Sequence, residues 1–290
     1  MIQPTVLIPA FRRREATRRA LSSLRAAGAT RLLLIDDEGS ASGAELAEEF
    51  APLEVITTAR PAYWTGAIVL GIERCLERGD PCVLFFNQDV TAAPDYLERL
   101  SETAERHPRA LIGSVVLYAQ KPDLVWSGGG KMEWFGRGMR ILHHGAPASA
   151  LPPEPYECDW LFGMGTLVET EVFRKIGLPD AESFPMSWGD TDFSLRARAA
   201  GFPILVDPRA RLTHEVGAYD ARVSGAPSAR RYASWLLDPR HNLSLSSHAR
   251  IWRRHGPRYL WPASLALRIV FLLVNYVRIR LVFPRERRDG

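Results

Sequence analysis

Three short apolar runs constrain the fold of this chain most. Val6-Leu7-Ile8 is stopped by Pro9, Leu32-Leu33-Leu34-Ile35 ends in Asp36-Asp37, and Cys82-Val83-Leu84-Phe85-Phe86 ends in Asn87-Gln88-Asp89. None alternates between apolar and polar, and each has the length of a strand rather than a helix. Strands of this kind are buried on both faces, which requires helices above and below the sheet. The intervening segments supply them. Arg13 to Ala27 places Ala16, Ala20, Leu21 and Leu24 at helical spacing and stops at Gly28. Glu45 to Phe50, Gly66 to Arg78 and Pro94 to Arg106 are predicted helices, and Leu53 to Thr57 is a predicted strand. The alternation predicts an α/β fold with a mostly parallel sheet.

The second half is less regular. Leu111 to Leu117 and Trp160 to Glu169 are predicted strands, and Asp190 to Ala200 a helix ended by Gly201. Ile204–Val206 and Ala210–Thr213 are predicted as two short strands, the latter delivering His214. Ser127–Gly130 and Gly136–Gly138 are predicted loops, and residues 144–155 a flexible connection.

Open α/β sheets bind ligands beyond the carboxyl ends of their strands. Pro9-Ala10, Asp36-Asp37 and Asn87-Gln88-Asp89 stand there. A second acidic edge, Trp188-Gly189-Asp190-Thr191-Asp192, opens a helix much later in the chain. Two separated acidic edges suit two tasks. One holds a divalent metal against phosphates, and the other takes a proton from a nucleophile. A group-transfer enzyme with a phosphate leaving group needs both.

Charge and cysteine usage narrow the surroundings. Cys75, Cys82 and Cys158 have no metal-ligand spacing, which points to a reducing compartment. The first residues lack the basic-then-apolar layout of a signal peptide. The net charge of +4 is unevenly placed: residues 250–290 hold ten arginines and two acids, leaving −4 on residues 1–249. The basic end is also strongly apolar, which points to an anionic membrane surface and away from nucleic acid. Arg268 interrupts its apolar run, and the unbroken part, Ile269 to Val277, is too short to span a bilayer. The expected division is a body, 1–249, and a helical segment, 250–290, lying peripherally on the cytoplasmic face of a membrane. A dimerisation or core-capping helix is the competing reading.

The order of these motifs resembles the inverting family 2 glycosyltransferases with the GT-A fold, nearest their rhamnosyltransferase-like members. The residues that carry it are Val6–Phe11, Leu33–Asp37, Phe86–Val90, Trp160–Gly163, Gly189–Ala197 and His214. The resemblance implies a nucleoside-diphosphate sugar donor of UDP or dTDP type, a glycan or lipid-linked glycan acceptor in surface polysaccharide synthesis, and Mn²⁺ or Mg²⁺. It implies that Pro9, Ala10, Asp36 and Gln88 cradle the nucleotide and that Asp89 and His214 hold the metal. Asp190 matches the base, with Asp192 in reserve. Trp160, Gly163 and Trp188 match the wall of the acceptor and sugar site. The chain departs from the family at Gly189, where Glu is usual. It departs again after the third strand, where Ile68 and Val69 replace a polar residue near the pyrophosphate, and Tyr63 and Trp64 are left to stack on the donor. A non-catalytic scaffold and a nucleotidyltransferase are the alternatives; the latter usually has a Gly-rich loop after the first strand, and none follows Arg12-Arg13-Arg14.

Overall fold

The apolar runs serve two helical layers at once. In the computed structural model, which describes residues 2–215 and 226–282, the first half runs β1 (Thr5–Ala10), α1 (Arg14–Ala26), β2 (Arg31–Asp36), α2 (Gly43–Glu49), β3 (Leu53–Thr57), α3 (Tyr63–Arg78), β4 (Cys82–Phe85), β5 (Val90–Ala92), α4 (Tyr96–Arg106) and β6 (Leu111–Tyr118). Val6, Ile8, Leu32, Leu34 and Leu84 face one core, shared with α1, α2 and α4. Leu7, Leu33, Ile35, Val83 and Phe85 face the other, shared with α3 and later helices. Each strand residue is buried whichever way it points, so the runs do not alternate.

The second half adds β7 (Lys121–Ser127), β8 (Gly130–Glu133), β9 (Gly138–Ile141), β10 (Tyr156–Glu157), β11 (Thr166–Glu169), α5 (Thr170–Ile176), α6 (Gly189–Ala199) and β12 (Ile204–His214). Among the described residues α7 (Ala229–Leu237), α8 (Leu245–His255) and α9 (Trp261–Val282) follow. The main sheet has the order β10-β12-β6-β11-β4-β1-β2-β3, with β5 beside β12 and β7 beside β6. β1 is parallel to β2 and β4, and β2 to β3. β11 runs antiparallel to both β4 and β6, and β12 is parallel to β6. The carboxyl ends of β1, β2, β4, β6 and β12 therefore share one edge with the start of β11.

Several expected boundaries shift. The two short strands expected between 204 and 213 are one strand, β12, with a register shift between Asp207 and Arg211. Of the strand expected from Trp160, only Thr166–Glu169 forms. The glycine-rich segments read as loops border a ribbon, β8 with β9. Gly130 serves close approach: a Cβ there would overlap the indole of Trp160. α3 starts three residues earlier than its pattern predicts, because Asp37 accepts from the amides of Ala62 and Tyr63 at 2.8 and 3.1 Å and caps the new first turn.

The boundary expected between residues 249 and 250 falls inside α8. Ile251 and Trp252 of that helix are fully buried against Phe184, Trp188 and Leu195. The helix after Gly256-Pro257 also holds to the body, where Trp252 Nε1 donates to Ser264 Oγ at 2.8 Å and Tyr232 OH to Leu272 O at 2.9 Å. α9 turns Ser264, Arg268 and Leu272 inward and leaves Leu267, Val270, Val274, Val277 and Leu281 exposed. Among the described residues no helix is long and apolar enough to cross a membrane. Arg285, Arg287 and Arg288 of the basic end lie outside the described residues.

Candidate active site

Four chain segments that are remote in sequence meet at the shared edge. Trp64, on the first turn of α3, donates its indole N–H to Asn87 Oδ1 at 2.8 Å, beyond β4. The loop before β11 brings Gly163 against the same indole, where a Cβ would overlap the ring. The Gly163 amide donates to Asp190 Oδ2 at 2.9 Å, at the start of α6. Asp190 Oδ1 accepts the Thr191 amide at 2.7 Å. The departure at Gly189 has a packing cause, since a side chain there would collide with Thr65 of α3. Burial pushes the Asp190 carboxyl above the ordinary carboxylate range, against the pull of its hydrogen bonds to Gly163 and Thr191. A partly accessible carboxylate held by backbone amides, with a raised pKa, can accept a proton near neutrality.

Asp89 and His214 meet although they are far apart in the chain. β12 is parallel to β6, and its last residue His214 pairs with Val90 of β5. His214 Nε2 lies 3.7 Å from Asp89 Oδ2. Burial raises the Asp89 pKa, but His214 and Arg13 outweigh it and hold the carboxyl below the usual range. Val90–Ala92 is a strand, so Asp89 is not a helix cap. Among the described residues His214 Nδ1 is buried without a hydrogen-bond partner. The carboxylate oxygen suits Mn²⁺ or Mg²⁺ and the imidazole nitrogen favours Mn²⁺ over the all-oxygen preference of Mg²⁺, and a site of two protein ligands matches ions that take their remaining oxygens from water and substrate phosphates. Among the described residues no group of three or more acidic, His or Cys side chains gathers for a metal. A divalent ion therefore fits here only as a site completed by its substrate.

Other expected site residues are placed elsewhere. Asp36 is buried, and its two oxygens accept from the Ala41 and Gly43 amides, both at 2.8 Å. It fixes the turn into α2, with both oxygens engaged by backbone amides. Asp192 is fully buried. Its oxygens accept from Arg196 Nε at 2.9 Å, His255 Nε2 at 2.9 Å and Arg254 Nη1 at 3.2 Å. Its buried oxygens are engaged by Arg196, Arg254 and His255 rather than open to an acceptor hydroxyl. Trp160 is fully buried, edge-to-face with Phe162, and walls no open sugar site. Trp188 packs against His248 and Trp252 and donates to Asn242 O at 2.9 Å, so it anchors α8. Gln88 clasps the N–H and C=O of Phe11 at 3.1 Å each. Ala10 is buried and presents only backbone, whereas Pro9 is partly exposed.

Arg13 was not among the expected site residues. It donates to Asp89 Oδ2 at 3.0 Å. Its only sequence signal is the basic run Arg12-Arg13-Arg14 directly after the first strand.

The family described as Glycosyl transferase family 2 matches residues 5–161, over half of the chain. The dTDP-rhamnosyl transferase RfbF of Shigella flexneri is 24% identical over 156 residues, which is 54% of this chain and 50% of that protein. The chain thus spans about half the length of this curated relative. The crystal structure of GalNAc-T7 with UDP, GalNAc and Mn2+ matches with a TM-score of 0.60 at 13% identity, over 99% of this chain and 60% of that one. Fold and edge geometry together define a glycosyltransferase of the GT-A class. The chain belongs to glycosyl transferase family 2, and the curated relative it resembles is a rhamnosyltransferase. The family match ends before Gly163, Asp190 and His214, so their placement rests on the geometry above.

Proposed function

We propose that this protein transfers a sugar, with inversion, from a UDP or dTDP sugar to a glycan or lipid-linked glycan acceptor. The observation that carries the reading is the convergence of Asp190, Gly163, Trp64 and Asn87 with Asp89 and His214 at one sheet edge. Pro9 and Trp64 flank the donor. Asp89 and His214 hold the divalent ion, which when bound neutralises charge on the departing diphosphate. Asp190 takes the proton from the acceptor hydroxyl as its oxygen attacks the anomeric carbon from the face opposite the leaving group. The carbon–oxygen bond to the diphosphate breaks, the new glycosidic bond forms, and the anomeric configuration inverts. The Gly163 amide fixes the Asp190 oxygen that is aimed at the acceptor. This matters because a base must lie within hydrogen-bond reach of its proton.

A screen of UDP and dTDP sugars by thermal shift with Mn²⁺ tests the donor class. A donor present at about 100 times its Kd stabilises by about 2.7 kcal/mol. NMR of the product then reads the anomer. Retention of configuration contradicts the single-displacement reading.

The same proposal places the enzyme on the cytoplasmic face of a membrane, with residues to His255 forming the catalytic body. The support is α9, which packs inward through Ser264, Arg268 and Leu272 and leaves Leu267, Val270, Val274, Val277 and Leu281 exposed. That exposed apolar face, beside ten arginines in residues 250–290, complements an anionic lipid surface better than a second equally basic copy.

A further inference from the structure

Arg13 and His214 both reach one carboxylate oxygen. Asp89 Oδ2 is 3.0 Å from Arg13 Nη1 and 3.7 Å from His214 Nε2, so it is the Asp89 oxygen that faces the other residue assigned above to the metal. A guanidinium and a divalent ion cannot share it without strong repulsion. Arg13 must therefore leave when a metal arrives, and it has somewhere to go. Its other nitrogen, Nη2, lies 3.8 Å from Glu215 Oε2, and its side chain is 47% exposed. A cleft of about 200 Å³ bounded by Ala16, Arg19, Asp89, Thr213 and Glu215 opens beside it.

The loop that carries Arg13 is held in an unusual shape. Arg12 and Arg13 are consecutive non-glycine residues with positive φ, 56° and 38°. Such backbone persists only where its surroundings enforce it, and it gathers at ligand clamps. Here the enforcement is visible: the Arg12 amide donates to Ser40 Oγ at 2.9 Å, and Gln88 holds Phe11 at both backbone groups. The neighbouring cations are committed elsewhere. Arg12 stacks over Phe11, and Arg19 makes a two-pronged pair with Glu215 at 2.9 and 3.0 Å. The polar residue absent after β3 leaves Ile68, which is fully buried and offers a diphosphate nothing.

We propose that Arg13 is a shared cation, resting on Asp89 until the donor arrives and then turning to the donor's diphosphate as the metal takes its place. This rests on the metal role assigned above to Asp89. It makes metal and nucleotide binding mutually dependent: the metal displaces Arg13, and the diphosphate receives it. A guanidinium suits that exchange, because its planar fork matches carboxylate and phosphate alike.

The test titrates Mn²⁺ into the full chain, with and without UDP or dTDP, for the wild type, Arg13→Gln and Asp89→Asn. Binding is followed by calorimetry. Melting curves check the fold, which an exposed side chain should leave intact. Arg13→Gln should bind Mn²⁺ alone about 5-fold tighter than wild type, since a half-exposed competitor has gone. Its nucleoside-diphosphate affinity at saturating Mn²⁺ should fall about 10-fold or more, the worth of a charge-assisted hydrogen bond. Arg13→Lys should recover part of the diphosphate affinity lost in Arg13→Gln, because it keeps the charge and loses the planar fork. If Arg13→Gln matches wild type in both measurements, or changes only one of them, the exchange is wrong. If instead wild-type Mn²⁺ binding survives Asp89→Asn unchanged, it is the metal assignment that fails. If neither nucleotide binds wild type, the donor reading fails.

Discussion

The Gly163 amide and Asp190 Oδ2, 2.9 Å apart and 27 residues apart in sequence, join the loop before β11 to the first turn of α6. That bond fixes the carboxylate proposed as the base. It does not cancel the burial that raises the Asp190 pKa. A carboxyl raised in the folded state contributes stability while pH is below its unfolded value, about 3.9, and loses it as pH climbs through the folded pKa. Relative to Asp190→Asn, wild type should therefore lose stability as pH rises from 4 to 7. Paired melting curves across that range check it. A difference between the two proteins that does not change with pH contradicts the burial argument.

Asp192 behaves in the opposite way. Burial raises its pKa, but His255 and Arg196 overcome that and hold the carboxyl low. Its stabilising contribution is present above the unfolded pKa and lost as pH falls through the depressed folded one. Asp192→Ala removes the carboxylate shared by Arg196 and His255 and leaves Arg254 paired with Asp180, and should cost about 3–5 kcal/mol in urea denaturation at pH 7. The difference from wild type should shrink in acid. A loss under about 1 kcal/mol, the worth of an exposed pair, contradicts the cluster's role.

Gly163→Ala drives a methyl into the Trp64 indole. Relief should cost about 1–3 kcal/mol of stability and displace the amide that orients Asp190. The prediction is a fall in kcat larger than any change in donor KM. Steady-state kinetics with a responsive donor measure the split. An unchanged kcat would remove Gly163 from the site.

The exposed face of α9 should float with vesicles. Full-length protein should co-float with phosphatidylglycerol vesicles at low salt and less at high salt, because each basic residue near an anionic surface contributes about 1 kcal/mol. Leu267→Glu, Val274→Glu and Val277→Glu together should abolish flotation and leave the melting point unchanged, since these side chains face solvent. Substitution is the cleaner test than truncation. A cut near Ser247 would remove Ile251, Trp252, Arg254 and His255, and with them the packing of α6.

Much of this was legible in the sequence where one local signal sufficed. The apolar runs gave the central strands, and the polar residues at their ends marked the functional edge. Asp89 and His214 were placed together by motif order. Their contact follows because β12 lies parallel to β6 with its end at that edge. What stayed hidden depended on long-range neighbours. Asp36 and Asp192 carry the same carboxylate as Asp89, but backbone amides claim the first and a C-terminal helix claims the second. Trp160 and Trp188 read as plates for sugar rings, yet Gly130 admits one to the core and α8 covers the other. Arg13 was invisible because only the folded loop carries it to Asp89.

The account turns on Asp190 as the base at a sugar-transfer edge. Its most direct measurement is nucleoside-diphosphate release from UDP and dTDP sugars with Mn²⁺, in single turnover, for wild type and Asp190→Asn at matched donor occupancy. The account predicts release by wild type from at least one donor and a loss of about 10²–10⁴-fold in the mutant, the usual worth of a positioned base. Equal release rates for the two proteins would contradict it.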